Sequence, residues 1–259
     1  MNVLSTVYGV VARDLVRSFR QKGRLIGGLA RPFMWLLLVG TGYNAIAHVE
    51  GVSSYRAFVF PGLVVMASLF GAMLTAISTV YDREFGMLRL MLASPSGIPA
   101  VLAGRTIAAT AIGILQGGVV LVCIPLIAPV TANQLAAAFA ALALGSAASA
   151  SLGLLIAAPL KSVENFAGVI NLVLFPLLFL SGALYPTGQM PPGLRTIARL
   201  NPVSHAVDLM REALGQPSEF GAMRAVPVLA ATAVLAFLLT VVIFDPEQRF
   251  VLRNRAARA

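Results

Sequence analysis

Two histidines each stand near a carboxylate in this 259-residue chain: His48 lies two residues before Glu50, and His205 three residues before Asp208. At i and i+3 the second pair shares a helix face, the spacing needed to bind a metal or pass a proton. Neither pair has a third ligand in register, and HExxH is absent. His205 and Asp208 therefore read as a hydrated polar face. Cys123 is the sole cysteine and lies inside an apolar run, so it reads as a small buried hydrophobe and permits no internal disulfide. Lys22 and Lys161 follow Gln21 and Leu160, so no GxxxxGK[ST] loop is there to cradle a nucleotide. Catalysis, a resident cofactor and a metal site are all unexpected.

What must position these residues is a membrane fold. The 19 Lys and Arg and 10 Asp and Glu residues all fall outside six apolar runs, 32–47, 58–80, 106–128, 133–158, 166–184 and 225–244. A hydrocarbon core about 30 Å thick needs roughly 20 apolar residues in a helix, so each run is a candidate crossing. The chain is 58% hydrophobic and 11% charged, with mean hydropathy +0.87, outside the soluble range where about a quarter of residues carry charge. The expected class is an all-α integral membrane protein of six transmembrane helices in one domain, 1–259. The net charge of +9 sits mostly at the ends of runs and in the termini, which argues for lipid surfaces and against nucleic acid. Arginines continue through Arg31 with no early apolar core and cleavage site, so the first run is expected to remain in the membrane. Leu25 begins a further apolar stretch before it, so the helix is expected to start there. Arg31 would then reach back to headgroups and Pro32 would sit in the first turns. With both termini cytoplasmic, the inner segments carry roughly twice the Lys and Arg density of the outer ones, as the positive-inside rule requires.

Three segments between the runs carry their own patterns. Over 1–24, at about 100° per residue, Leu4, Tyr8, Val11, Leu15 and Phe19 fall on one face, opposite Arg13, Arg17, Arg20 and Arg24. This predicts an interfacial helix with its arginines toward anionic lipid or a cytoplasmic partner. The inner segment around 81–95 opens on Asp82, Arg83 and Glu84 and continues with Phe85, Leu88, Arg89 and Leu92 before Pro95. Apolar residues flanked by charge suggest a docking knob, or side chains that dip into the bilayer surface. The outer segment 185–224 carries helix punctuation. Asn201 caps a helix whose first residue is Pro202, Gly215 and Pro217 close it, and Pro191 and Pro192 open a shorter one. Val203, Val207, Met210 and Leu214 share a face, giving an outer helical hairpin between spans five and six.

Within the runs no side chain is ionisable, which argues against a proton- or sodium-coupled carrier. Gln116, Asn171 and scattered Ser and Thr remain for weak contacts with an amphipathic substrate. Gly145, Ser149 and Gly153, with Gly113 and Gly117, allow close helix approach, either within the chain or against a second copy. No internal repeat is evident.

Several stretches together resemble the ABC-2-type membrane subunits of ATP-binding-cassette exporters, over nearly the whole chain. They are ARPFMWLLLVGTG after the basic helix, FPG at Phe60 to Gly62, YDREFGMLRLMLASP, and FPLLFLSGALYP followed by LNPVSHAVDLMREAL. The ordered Pro176, Ser181, Gly182, Pro186, Asn201, Pro202 and Asp208 are the most specific part. The resemblance is strongest to drug-resistance and nodulation-factor-type exporters. It implies a six-helix half-channel in the cell inner membrane that pairs with a second copy or a related permease. Two separate ATPase subunits would bind ATP and Mg. Residues 1–24, with their arginines, would be the connecting helix, and 81–95 the coupling loop, with Arg83, Glu84, Phe85, Leu88 and Arg89 as ATPase contacts. The 185–224 hairpin, with Asn201, Pro202, His205 and Asp208, would close the exit. Leu69 and Met73 of the second span and Asn171 and Phe175 of the fifth are expected to line the path of a lipid-like, drug or glycoconjugate substrate. A membrane-embedded lipid enzyme or an energy-independent carrier or channel is the alternative.

Overall fold

The computed structural model describes residues 3–44, 54–87 and 97–244. His48, Glu50, Leu88, Arg89 and Leu92 lie outside the described residues, as does the side chain of Arg24. Within these residues ten α-helices follow one another: α1 (Val3–Arg20), α2 (Lys22–Asn44), α3 (Tyr55–Thr75), α4 (Ile77–Glu84), α5 (Gly97–Leu121), α6 (Ala132–Ala157), α7 (Val163–Phe179), α8 (Pro192–Leu200), α9 (Pro202–Ala213) and α10 (Ala222–Ile243). Among the described residues there is no strand.

Hydrophobicity all round a helix marks it as the one to be surrounded, and α3 shows this. Apart from Arg56 and Leu74 every residue of α3 is buried, against α2, α5, α6, α7 and α9. At Thr75 the hydroxyl donates to the Gly71 carbonyl at 2.6 Å, and α4 continues after Ala76. Together Tyr55–Glu84 is 30 residues long, about 45 Å at 1.5 Å per residue, so its last turns reach past a 30 Å hydrocarbon core.

Among the described residues five helical segments are long and apolar enough to cross a membrane: Leu25–Gly42, Tyr55–Glu84, Gly97–Leu126, Ala132–Ala157 and Ala222–Ile243. The run 166–184 behaves differently from a full span. Helix α7 stops after 17 residues at Phe179, about 26 Å of helix. The Ser181 hydroxyl donates to the Leu178 carbonyl and accepts the Ala183 amide, and Gly182 turns the chain at φ 77°. Composition extends this run; a glycine turn ends the helix. Helix α2 likewise starts earlier than expected, at Lys22, so Pro32 lies within it, beyond the first turns. Arg31 lies over the Phe70 ring at 4.3 Å, where a reach toward headgroups was expected.

Small residues set the helix spacing inside the chain. A Cβ on Gly153 would stand 2.8 Å from the Met73 Cα, and one on Gly117 would stand 2.5 Å from the Leu142 side chain. Gly113 and Gly145 face Ala72 and Ala206 in the same way. Buried Ser68 and Ser146 share a 2.6 Å hydrogen bond across the same α3–α6 contact. These positions serve packing within one copy.

Gly62 gives the tightest backbone case, since a Cβ there would sit 2.6 Å from the Ala183 Cβ and 2.7 Å from its carbonyl oxygen, whereas Gly168 has nothing within 4 Å. Gly62→Ala should therefore destabilise the detergent-purified protein by about 1–3 kcal/mol through overpacking. Gly168→Ala should be neutral or stabilising by up to about 1 kcal/mol. Thermal unfolding midpoints check both, and equal midpoints would contradict this packing.

Candidate functional site

At one end of the bundle the last turn of α4 presents four consecutive residues, Tyr81, Asp82, Arg83 and Glu84, and between them they are engaged by four other parts of the chain, α1, α5, the end of α6 and the start of α7. A carboxylate shielded from water needs partners, and the Asp82 side chain is only 6% exposed. It accepts from Arg13 at 2.6 Å and Arg17 at 2.9 Å, both on α1, and from Arg105 on α5. Arg105 also donates to Thr79, Arg13 also pairs with Asp14, and Arg17 lies over the Tyr81 ring. Three guanidinium groups and two carboxylates thus bind α1, α4 and α5 together. Gly104 lets α1 approach, since a Cβ there would meet Val10 at 2.8 Å.

This corrects the expectation that the arginine stripe faces lipid or a partner. Arg13 and Arg17 turn into the chain, together with buried Thr6, Asp14 and Ser18, and among the described arginines of the stripe only Arg20 is exposed. The apolar stripe is the free one, with Leu4 81% and Tyr8 76% exposed.

Arg83 and Glu84 also bond within the chain. Arg83 donates to the Ala158 and Leu160 carbonyls at 2.6 and 2.8 Å, at the C-terminus of α6, and lies over Phe244. Glu84 accepts the Val163 amide at 3.0 Å, at the N-terminus of α7. Each charge thereby sits at the helix end whose dipole it complements. Arg83 is half-buried by these bonds, whereas Glu84 remains exposed. Phe85 follows at 71% exposure beside Met87 at 48%, where Gly86 (φ 75°) redirects the chain.

At the other end, α8 and α9 meet at Asn201, whose side chain caps α9 by accepting the Val203 amide, while Pro202 opens the helix as expected. The apolar face Val203, Val207, Met210 and Leu214 is buried as expected. The polar face differs from expectation, because His205 and Asp208 are buried too, at 5% and 3% exposure. Asp208 accepts the amides of Glu219, Phe220 and Gly221 at 2.6, 2.9 and 3.0 Å, the entry to α10. The His205 ring packs 4.6 Å from Phe220, and its Nε2 donates to the Arg199 carbonyl. The buried Nδ1 of His205 has no hydrogen-bond partner, and among the described residues no group of three His, Cys, Asp or Glu is placed to hold a metal.

The same hairpin closes the end of α7. A helix leaves its last carbonyls unpaired, and here Asn201 donates to Leu177, Ser204 to Leu180 and Arg211 to Gly182. Ser204 and Arg211 were missed in the sequence. Arg211 also lies 4.2 Å over Phe58. Its burial lowers its pKa to about 10, although Asp208 and Glu219 pull the other way; it stays charged at neutral pH.

The expected path residues separate into two pairs. Leu69 and Met73 have no exposed surface, which corrects their assignment, because α3 is enclosed by its neighbours. Asn171 and Phe175 lie on an exposed face of α7 with Leu172 and Phe179. Gln116 is also buried, fitted between Gly28 and Gly71, and so is not available to a substrate.

Replacing a buried charged acceptor of three backbone amides leaves donors poorly paired, so Asp208→Asn should cost about 2 kcal/mol and lower the melting midpoint by roughly 4–8 °C. An unchanged midpoint would mean that Asp208 does not hold the α9–α10 junction.

Residues 6–214 match the family model described as ABC-2 type transporter. Among curated relatives, Nodulation protein J of Rhizobium leguminosarum bv. trifolii is 32% identical over 196 residues, 74% of this chain and 75% of the relative. The putative transport permease ycf38 of Pyropia yezoensis is 29% identical over 223 residues, covering 80% of this chain and 73% of that one. Nodulation protein J of Bradyrhizobium diazoefficiens is 28% identical, with 85% of each chain covered. The buried Asn201–Arg211 helix and the charge-locked Asp82 turn both fall inside the matched span, and this multi-pass membrane protein belongs to the ABC-2 type transporter family.

Proposed function

We propose that this chain is the membrane subunit of an ATP-binding-cassette exporter, driven by two copies of a separate ATPase that binds ATP and Mg. It would work in the cell inner membrane as a pair, with a second copy or a related permease, and with both termini cytoplasmic. The observation that carries this reading is the Asp82 cluster, which joins α1, α4 and α5 beside the exposed Phe85 and Met87. A push on Phe85 and Met87 is then shared by three helices, one of which, α4, continues into the central helix α3. ATP-driven closure of the ATPase pair tilts the spans and exposes a path alternately to the two sides.

The path lies between two copies in this reading, because α3 fills the centre of one. The exposed faces available to it are Met34, Leu37 and Leu38 on α2, and Leu172, Phe175 and Phe179 on α7. Asn171, whose amide bonds only to the Ala167 carbonyl of its own helix, is the polar group on that face. An apolar lining with one amide suits an amphipathic cargo, lipid-like, drug or glycoconjugate. The relatives named Nodulation protein J and transport permease are in keeping with such a role. A lipid-modifying enzyme has no observation in its favour, since His205 and Asp208 are engaged in structural bonds.

Affinity purification of the tagged chain from its native membrane should recover an ATPase carrying a Walker motif. Phe85→Ala combined with Met87→Ala should reduce that recovery by about tenfold or more, as removal of an exposed aromatic anchor does at an interface. Transport with no ATPase recovered would support the energy-independent carrier instead.

A further inference from the structure

A groove of about 630 Å³ opens on the flank of the bundle between α6, α9 and α10, away from the faces assigned to the path. That size lies within the roughly 300–1,000 Å³ typical of small-molecule sites. Its floor is one face of α6, Ala137, Ala140, Ala141 and Leu144, and α10 closes it with Val226. Its polar residues, Asn133, Gln134 and Glu212, gather at the hairpin end. From Asn133 to Leu144 the groove follows α6 for about 16 Å, close to the depth of one leaflet's hydrocarbon. A polar mouth above an apolar floor of that depth matches a lipid in register with the bilayer.

The mouth carries both signs of charge. Glu212 is exposed and makes no ion pair among the described residues. Helix α6 points its N-terminus to the same place; the Thr131–Gln134 capping box accounts for the Gln134 amide, leaving those of Ala132 and Asn133 for an outside acceptor. We infer that the groove seats one phospholipid with an ethanolamine headgroup. Its acyl chain lies on the alanine face, its phosphate at the α6 N-terminus and its ammonium on Glu212. The primary ammonium donates hydrogen bonds to the carboxylate, which a choline headgroup has no N–H to do. This site is independent of the transport reading.

The test uses the full chain in phosphatidylcholine vesicles carrying a trace of photoactivatable phosphatidylethanolamine or photoactivatable phosphatidylcholine, with the labelled peptides mapped by mass spectrometry. The ethanolamine probe should label residues 133–144 and 209–226 about threefold more than the choline probe, the scale of one solvent-accessible ion pair. Glu212→Gln should remove that difference. Ala140→Phe, which fills the groove from an exposed position, should remove labelling by either probe while the melting midpoint is unchanged. Equal labelling by the two probes, labelling indifferent to Ala140→Phe, or an Ala140→Cys variant that cross-links to a second copy would each overturn the proposal.

Discussion

A carboxylate carried past the end of an apolar helix has to be neutralised by the chain itself, and Asp82 meets that constraint with three arginines from two other helices. Most of the architecture at this end follows from it. Helix α1 lies along α5 because that is where Arg13 and Arg17 reach Asp82, and its apolar stripe is thereby left exposed. Arg105 on α5 is almost wholly buried, at 2% exposure. Removing one partner from a buried ion pair costs about 3–5 kcal/mol because the other charge is left stranded. The cluster is therefore conditional, since each charge is tolerable there only while the others stay.

A matching constraint governs the other end, where it concerns backbone rather than charge. The early stop of α7 leaves carbonyls with no helical partner, and a buried polar group left unpaired costs about 1–3 kcal/mol. Asn201, Ser204 and Arg211 reach those carbonyls, while Asp208 takes the amides at the start of α10. The hairpin is in this sense the shared cap of two helices, which explains why its polar residues are buried. Along the bundle between these ends, apolar contact and small residues are enough.

Features determined locally were legible in the sequence. The all-helical membrane class, the amphipathic first helix, the Asn201 cap followed by Pro202 and the apolar face of α9 depend on residues a few positions apart, where periodicity and capping rules apply. What a helical wheel cannot reveal is whether a polar face meets water or a counter-charge. Arg13 and Arg17 lie 69 and 65 residues from Asp82, and Arg83 lies 75 from the carbonyl it holds. Asp208 did leave a trace, because α10 begins at Gly221 with no side chain to cap it, so an acceptor had to come from elsewhere. Enclosure of Leu69 and Met73 left none, as an all-apolar helix reads alike whether it faces lipid, a path or its neighbours.

The central claim, that Asp82 fastens the first helix to the bundle, is tested most directly by hydrogen–deuterium exchange of α1 in vesicles, comparing the parent chain with Asp82→Asn. The account predicts that amides from Val10 to Ser18 lose protection in the variant by more than about tenfold, the equivalent of 1.4 kcal/mol, while those of α3 and α6 do not change. Unchanged exchange across α1 would show that apolar packing alone holds this helix, and would contradict the role given to the ion cluster.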